Sequence, residues 1–558
     1  MGNCLKNSTA SRNKPLPIDT IFMLPSPLPA WPSGSDFARG VVDLGGLQIR
    51  KVASFQKIWT VYEGGPDNLG ATIFEPEPSS IPDGFSMLGS YAQPNNRPQF
   101  GWVLVGKTDA GDQSGDILKQ PIDYTLVWNY SNTKCLKTNS STDTAYFWLP
   151  TPPDGYKSIG YIITTSPDKP SLDKIRCIRS DFTDELETDS WIWAQGKDQE
   201  SVDGLNIYSS RPKNRGANAL SVAAGTFILQ NGNNSSQLPL SCLQNKNLTS
   251  TTMPNLSQIK ALFQTYSPYI YFHPKENYLP SSVNWYFSNG ALLYKKGEES
   301  NPTAIEQDGS NLPQGGANDG LYWLDLPIDE QAKEKVKRGD LKSAEVYLHA
   351  KSMLGGTFTD IQVWTFYPFN GPATAKLGLI EEIPLGKIGE HVGDWEHFTL
   401  RISNFDGILD RVYFAQHSGG QWMDSCSIEF QNGNKFVMYS SLNGHASYPK
   451  AGVVLQGTGA VGIRNDTAKS DMVVDCGAAF SVVAAETVEE PPWLNYFREW
   501  GPARSYKIAE EVEKVKKLLP GKLKSAFEKL VNSLPKEVYG QVGPTGPKLK
   551  ENWAGDEK

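Results

Sequence analysis

Short apolar runs alternate with Gly, Pro and Asn through the first half of this 558-residue chain. The runs Trp59 to Tyr62, Gly101 to Gly106, Tyr124 to Tyr130 and Gly160 to Thr165 carry the period of two expected of strands, and the punctuation between them marks turns. Two stretches repeat within this region. Pro82-Asp83-Gly84-Phe85 with Gly89 recurs as Pro153-Asp154-Gly155-Tyr156 with Gly160, each led in by an aromatic residue and prolines. Proline presets φ, Asp accepts from the following amides and Gly takes positive φ, so the motif reads as a turn that launches an inward-facing strand. Residues 36–245 are therefore expected to form two repeated β-modules. A polar, Asn- and Ser-rich connector at 230–256 separates them from a larger β-sandwich over 257–500. From Ile508 the period changes: Ile508, Val512, Val515 and Leu519, then Leu523, Phe527, Leu530 and Leu534 beyond Pro520-Gly521, fall at helical spacing. The spacing predicts an α-hairpin docked on the sandwich, and the aperiodic end completes a 501–558 segment as an extended tail. The fold class is mainly β: tandem β-sandwich-like modules, a larger β-sandwich domain, and a C-terminal α-hairpin.

Composition narrows the function. With 53 Lys and Arg against 61 Asp and Glu and no basic stripe, the chain is not expected to bind nucleic acid. The longest apolar stretch, Val473 to Ala485, contains Asp475 and falls short of the ~20 residues that span a bilayer. Six cysteines without a CxxC pair indicate reduced thiols rather than a zinc ribbon or a disulfide framework. Residues 1–35 read as an N-terminal tail that opens MGNC. Gly2 and Cys4 are candidates for myristoylation and palmitoylation, although Lys6 stands where the myristoylation pattern has Ser or Thr. Two acyl chains together would anchor what one holds only marginally, so the expected location is cytoplasmic and peripheral to a plasma, endosomal or vacuolar membrane.

The candidate chemistry lies in the second half. Four of the six histidines, His391, His397, His417 and His445, fall within 55 residues, where an even spread would put fewer than one. The run His391-Val392-Gly393-Asp394-Trp395-Glu396-His397 sets Asp394 and Glu396 on one face of a strand and Trp395 and His397 on the other. Two carboxylates beside an apolar interior call for a cation, an Arg partner or protonation. With His391 they make a set suited to a divalent ion, Ca²⁺ or Mg²⁺ in preference to Zn²⁺. His397, His417 and His445 are candidate ligand-binding residues, and no catalytic residue can be assigned.

The motifs Tyr271 with His273-Pro274, Tyr367-Pro368-Phe369-Asn370-Gly371, HVGDWEH, Gln416-His417-Ser418-Gly419-Gly420 and Gly444-His445-Ala446-Ser447-Tyr448-Pro449 resemble the plant and fungal vacuolar protein sorting-associated protein 62 family, also called domain of unknown function 946. The resemblance extends over nearly the whole chain and implies a link to vacuolar delivery without an established biochemical activity. More remotely, HVGDWEH is similar to the GHRHDWE heptad of necrosis-inducing cytolytic proteins, which bind a divalent cation and dock to sphingolipid headgroups. That likeness implies His391, Asp394 and Glu396 as metal ligands, with Asn370 where that family has Asp, Gly393 in place of its second His, and His445 at a further functional His. The turn repeats faintly resemble adaptor-binding β-modules of lipid-transfer proteins. The leading expectation is a membrane-peripheral, cation-dependent recognition protein of vacuolar or endosomal sorting, with a lipid headgroup or glycan as ligand and trafficking adaptors as partners. The alternatives are a metal-dependent hydrolase, which no nucleophile motif favours, and a membrane-perturbing defence protein.

Overall fold

The computed structural model describes residues 15–109, 111, 116–131, 144–195, 204–231, 238–247, 252–378, 380–417, 419–458, 461–503, 507–533 and 543–557. Gly2 and Cys4 lie outside them. The chain divides into two compact units. One comprises 1–23, 38–252 and 354–357, and the other 24–37, 253–353 and 358–558.

The first unit is built from three repeats rather than the two that the Pro-Asp-Gly turns disclose. Each supplies a three-stranded antiparallel sheet: Phe55–Val61, Ala71–Pro76 and Tyr91–Pro94; Asp123–Ser131, Thr144–Thr151 and Ile162–Thr164; Leu186–Ala194, Leu205–Pro212 and Phe227–Asn231. Trp59, Ile73, Phe147, Trp193, Ile207 and Phe227 meet in one core shared by all three sheets. The unit is mainly β, as expected, and its three small sheets share this core.

Three equivalent backbone hydrogen bonds tie the repeats in a ring: Arg176 N to Met87 O, Ser241 N to Ser158 O and Leu104 N to Ala224 O, each 3.0 Å. At the centre a Cβ on Gly89 would stand 2.7 Å from both the Gly160 Cα and the Thr226 Cγ2, so the glycine ending each visible motif is required by close approach. The two motif turns close through Phe85 N to Pro82 O and Tyr156 N to Pro153 O, both 3.0 Å, with Gly84 and Gly155 at φ 80°. The third turn closes from Ala219 N to Gly216 O at 3.1 Å with no proline and no Asp-Gly pair. Its geometry persists while its sequence signature has gone.

The second unit is a sandwich. Its main sheet has the strand order Gly419–Asp424, Leu409–Gln416, His391–Ser403, Phe358–Asn370, Val346–Met353, Phe480–Ala484. The long Phe358–Asn370 and His391–Ser403 strands pair antiparallel, Tyr367 opposite Asp394 and Asn370 opposite His391. One face rests on a second sheet that includes Tyr269–Phe272 and Lys435–Ser440, a parallel pair, with Phe398 and Phe414 edge-on to Phe436. The other face buries Trp364, Phe366 and Trp395 against Trp493 and Trp500.

The α-hairpin forms as the spacing predicts, over Ile508–Leu518 and Gly521–Ser533. It docks: Val515, Leu519, Phe527 and Leu530 bury against Leu377 and Ile463 of a smaller sheet and against Leu385 and Ile388 just beyond one of its strands. The end of the chain departs from the expected extended tail. Residues 543–557 fold into two short 3₁₀ turns, Pro547–Leu549 and Glu551–Trp553, laid on the main sheet. Aperiodic segments of this kind give no pattern to read, because their contacts are made one residue at a time. No described helix is long and apolar enough to cross a membrane.

Candidate functional site

The strand His391–Ser403 alternates as its sequence implies. Phe398 and Leu400 face the second sheet, whereas His397, Thr399 and Arg401 share the face of Trp395. At its start the chain crosses under the backbone of Trp500. Gly393 has φ 69°, and a Cβ there would lie 2.2 Å from the Trp500 carbonyl oxygen. That contact leaves no room for a side chain at this position.

Asp394 is buried, and its Oδ2 accepts from His445 Nδ1 at 2.9 Å. The same imidazole stacks on Tyr367 with centroids 3.9 Å apart, and its Nε2 stands 3.9 Å from Glu276 Oε1. Burial opposes a charge on His445, but the hydrogen bond to Asp394 and the negative charges of Asp394 and Glu276 outweigh it and hold the imidazolium up at about 10. Against their own burial, the same contacts lower both carboxyls. Glu276 is further held by the amides of Asn277, Tyr278 and Asn443.

Glu396 has the opposite fate. Desolvation first and the charge of Asp394 second push its carboxyl well above the ordinary range. His391 Nε2 stands 3.9 Å from Asp394 Oδ1, its Nδ1 is buried without a hydrogen-bond partner, and 30% of its side chain remains exposed. Burial lowers its pKa, countered by Asp394 and assisted by Lys550, whose charge also acts on Asp394 and Glu396.

The conflict between two carboxylates on one face is thus met by the His445 imidazolium beside Asp394 and by a raised carboxyl at Glu396. Among the described residues no group of three or more His, Cys, Asp or Glu side chains is gathered to hold a metal ion. The expected set His391, Asp394, Glu396 and Asn370 contributes one facing pair, His391 and Asp394. Asn370 is turned to structure, its amide donating to the carbonyls of Gly371 at 3.0 Å and Gly389 at 2.8 Å.

Of the ligand-binding candidates, only His445 belongs to this cluster. His397 lies on the opposite face, stacked on Trp364 and 3.2 Å from Glu557. His417 sits at φ 56° with Nε2 2.8 Å from Asn465 Oδ1. Sequence reasoning missed Glu276, Tyr367 and Lys550. Glu276 follows His273-Pro274 closely, and that Pro-bounded turn was the available signal.

Fold and cluster define a β-rich protein with a charged, partly exposed group of side chains at one end of its central strands. The description "Vacuolar protein sorting-associated protein 62" matches residues 18–557, and the chain belongs to that family. No curated protein matches significantly. Among solved structures the chain is similar to GNIP1Aa from Chromobacterium piscinae, with 16% identity over 40% of each chain and a TM-score of 0.28. It thus spans less than half the length of that protein. It is also similar to NLPPya in complex with glucosamine, with 14% identity over 34% of this chain and 66% of that one, TM-score 0.18. A protein described as a toxin fold for microbial attack and plant defense matches at 12% identity over 50% and 90%, TM-score 0.19.

Proposed function

We propose that this protein works at a membrane surface in vacuolar or endosomal sorting and recognises a lipid headgroup or glycan at the edge formed by His391, Asp394 and Glu396, with Ca²⁺ or Mg²⁺ as the ion taken there. The observation that carries the reading is the pairing of His391 Nε2 with Asp394 Oδ1 at 3.9 Å on a partly exposed edge. That is too long for a hydrogen bond and a little wider than the roughly 3.3–3.7 Å between ligands at right angles on a calcium ion, so a small inward movement would let both reach one ion. The cluster is not a closed ion cage as it stands. Glu396 would complete it only in its ionised form, so ion uptake and loss of the Glu396 proton belong together. The exposed part of His391 leaves room for the hydroxyl groups that sugar and inositol headgroups offer.

The test is a pair of measurements on the full chain: melting temperature, and co-sedimentation with liposomes carrying glycosylated or anionic lipids, each with Ca²⁺, with Mg²⁺ and with chelator. An ion should raise both readouts through linkage to the folded state. Glu396→Gln copies the neutral carboxyl, so it should leave the ion-free melting temperature nearly unchanged and abolish the ion-dependent gain. Indifference of the wild-type protein to every divalent ion would remove the ion from this reading, and indifference to every liposome would remove the membrane.

A further inference from the structure

On the face of the main sheet opposite the acidic cluster, Lys351, Gln362, His397, Thr399 and Arg401 converge. Segment 551–557 fills the space over them. Arg401 forks onto Asp360 with two 2.8 Å hydrogen bonds and spends its Nη2 also on Asp556 Oδ1 at 2.7 Å. Glu557 accepts from Thr399 Oγ1 at 2.5 Å, from Gln362 Nε2 at 3.0 Å and from Asn552 Nδ2 at 2.9 Å, with His397 Nε2 3.2 Å away. Lys351 Nζ donates to the carbonyls of Asn552 at 2.6 Å and Gly555 at 2.8 Å. Trp553 stacks on His349 at 3.8 Å.

We infer that this face is a binding site for an acidic peptide segment of a partner protein, an aromatic residue followed by adjacent carboxylates, and that residues 551–557 are its internal occupant. Three observations carry this. The donors belong to rigid strands and are spaced for two carboxylates and two backbone carbonyls, which is the pattern of a peptide rather than of a lone ion. The segment has only the single 3₁₀ turn Glu551–Trp553 as an element of its own, and Trp553 is the one large apolar side chain it sets on the sheet. Its hold therefore comes from charge-assisted hydrogen bonds that another acidic peptide reproduces group for group. Finally, packing alone does not call for buried charges, since an apolar cover of the same shape would stabilise the sheet at least as well. Arg401, Thr399, Gln362 and His397 give specificity for acids that stability does not need, and Lys351 holds the backbone carbonyls between them.

The test uses the full chain. In the double variant Asp556→Asn with Glu557→Gln, the internal occupant is weakened while the sheet is untouched. A fluorescently labelled peptide with the sequence of residues 543–557 should bind this variant saturably by anisotropy. It should bind the wild-type chain at least about tenfold more weakly, because the tethered segment competes at high effective concentration. A peptide carrying the same two neutralising changes should not bind. A correctly folded variant that takes up no peptide, or takes up the neutral peptide equally well, overturns the inference. If the variant fails to fold, a protease site placed within 535–541 of the otherwise unchanged chain gives the second measurement. Release of the cut segment in exchange for the labelled acidic peptide under native conditions supports the site, and a cut segment that never exchanges overturns it.

Discussion

Replacing Gly393 with alanine tests whether the start of the HVGDWEH strand is shaped by its crossing under Trp500. Two costs are separable. The backbone sits at φ 69°, where a side chain costs roughly 1–2 kcal/mol. The added Cβ would also stand 2.2 Å from the Trp500 oxygen, 2.8 Å from its carbonyl carbon and 3.1 Å from its Cβ. Relief needs a backbone shift of more than an ångström. Trp500 resists that shift because it is fully buried among Phe287, Phe366, Trp395 and Trp493, and its amide donates to Pro544 O. Overpacking of this kind costs roughly 1–3 kcal/mol, so the sum is about 2–5 kcal/mol. At about 2 °C per kcal/mol for a unit of this size, the melting temperature should fall by roughly 4–10 °C. Gly297 supplies the control, since it has φ 87° with nothing within 4 Å of its would-be Cβ. Gly297→Ala then reports the backbone cost alone. Thermal and urea unfolding followed by tryptophan fluorescence would read both variants, and a Gly393→Ala protein no less stable than Gly297→Ala would refute the packing argument.

Other predictions rest on the charged groups and the amino terminus. His445→Ala strands the carboxylates of Asp394 and Glu276 in the interior and should cost roughly 3–5 kcal/mol in urea unfolding; adding Glu276→Gln should recover part of that loss, and no recovery would mean that the Tyr367 stack, not the charges, sets the cost. Glu557 is held down at about 2 because the field and contact of His397, with Lys351 and Thr399, outweigh its desolvation. Its folded value is depressed, so its contribution is present above pH ~4.5 and is lost as pH falls towards about 2, on the order of 3 kcal/mol in all. The wild-type protein should therefore lose more stability than Glu557→Gln between pH 5 and 2, and parallel acid titrations of the two would count against the docked carboxylate. If the expected acyl chains on Gly2 and Cys4 form the anchor, Gly2→Ala should release the protein from membranes and Cys4→Ser should weaken its attachment, because one chain holds only marginally; unchanged fractionation of both variants would exclude acylation as the anchor.

Local chemistry was legible in the sequence because it repeats over a few residues. The period of two in 391–403 assigned Asp394 and Glu396 to one face and His397 to the other. Helical spacing located the hairpin from Ile508, and the Pro-Asp-Gly turns closed as their residue types require. The carboxylate conflict at Asp394 and Glu396 was legible too, since it follows from alternation alone, and protonation was one of its three stated remedies.

What answers that conflict was decided in three dimensions. His445 reaches Asp394 from 51 positions away and Glu557 reaches His397 from 160. A strand's periodicity states which side chains leave the solvent, but not which distant side chains meet them there. The third repeat escaped notice for the converse reason. Gly216–Ala219 keeps the turn with different residues, because the backbone hydrogen bond that closes it asks nothing of the side chains. Segment 543–557 carried no period at all, and only the converging donors of Lys351, Gln362, Thr399 and Arg401 give its two acids a place. The sequence by itself thus determined each element and its buried face, and tertiary structure alone chose the partners, because pairing energy depends on proximity that chain order does not encode.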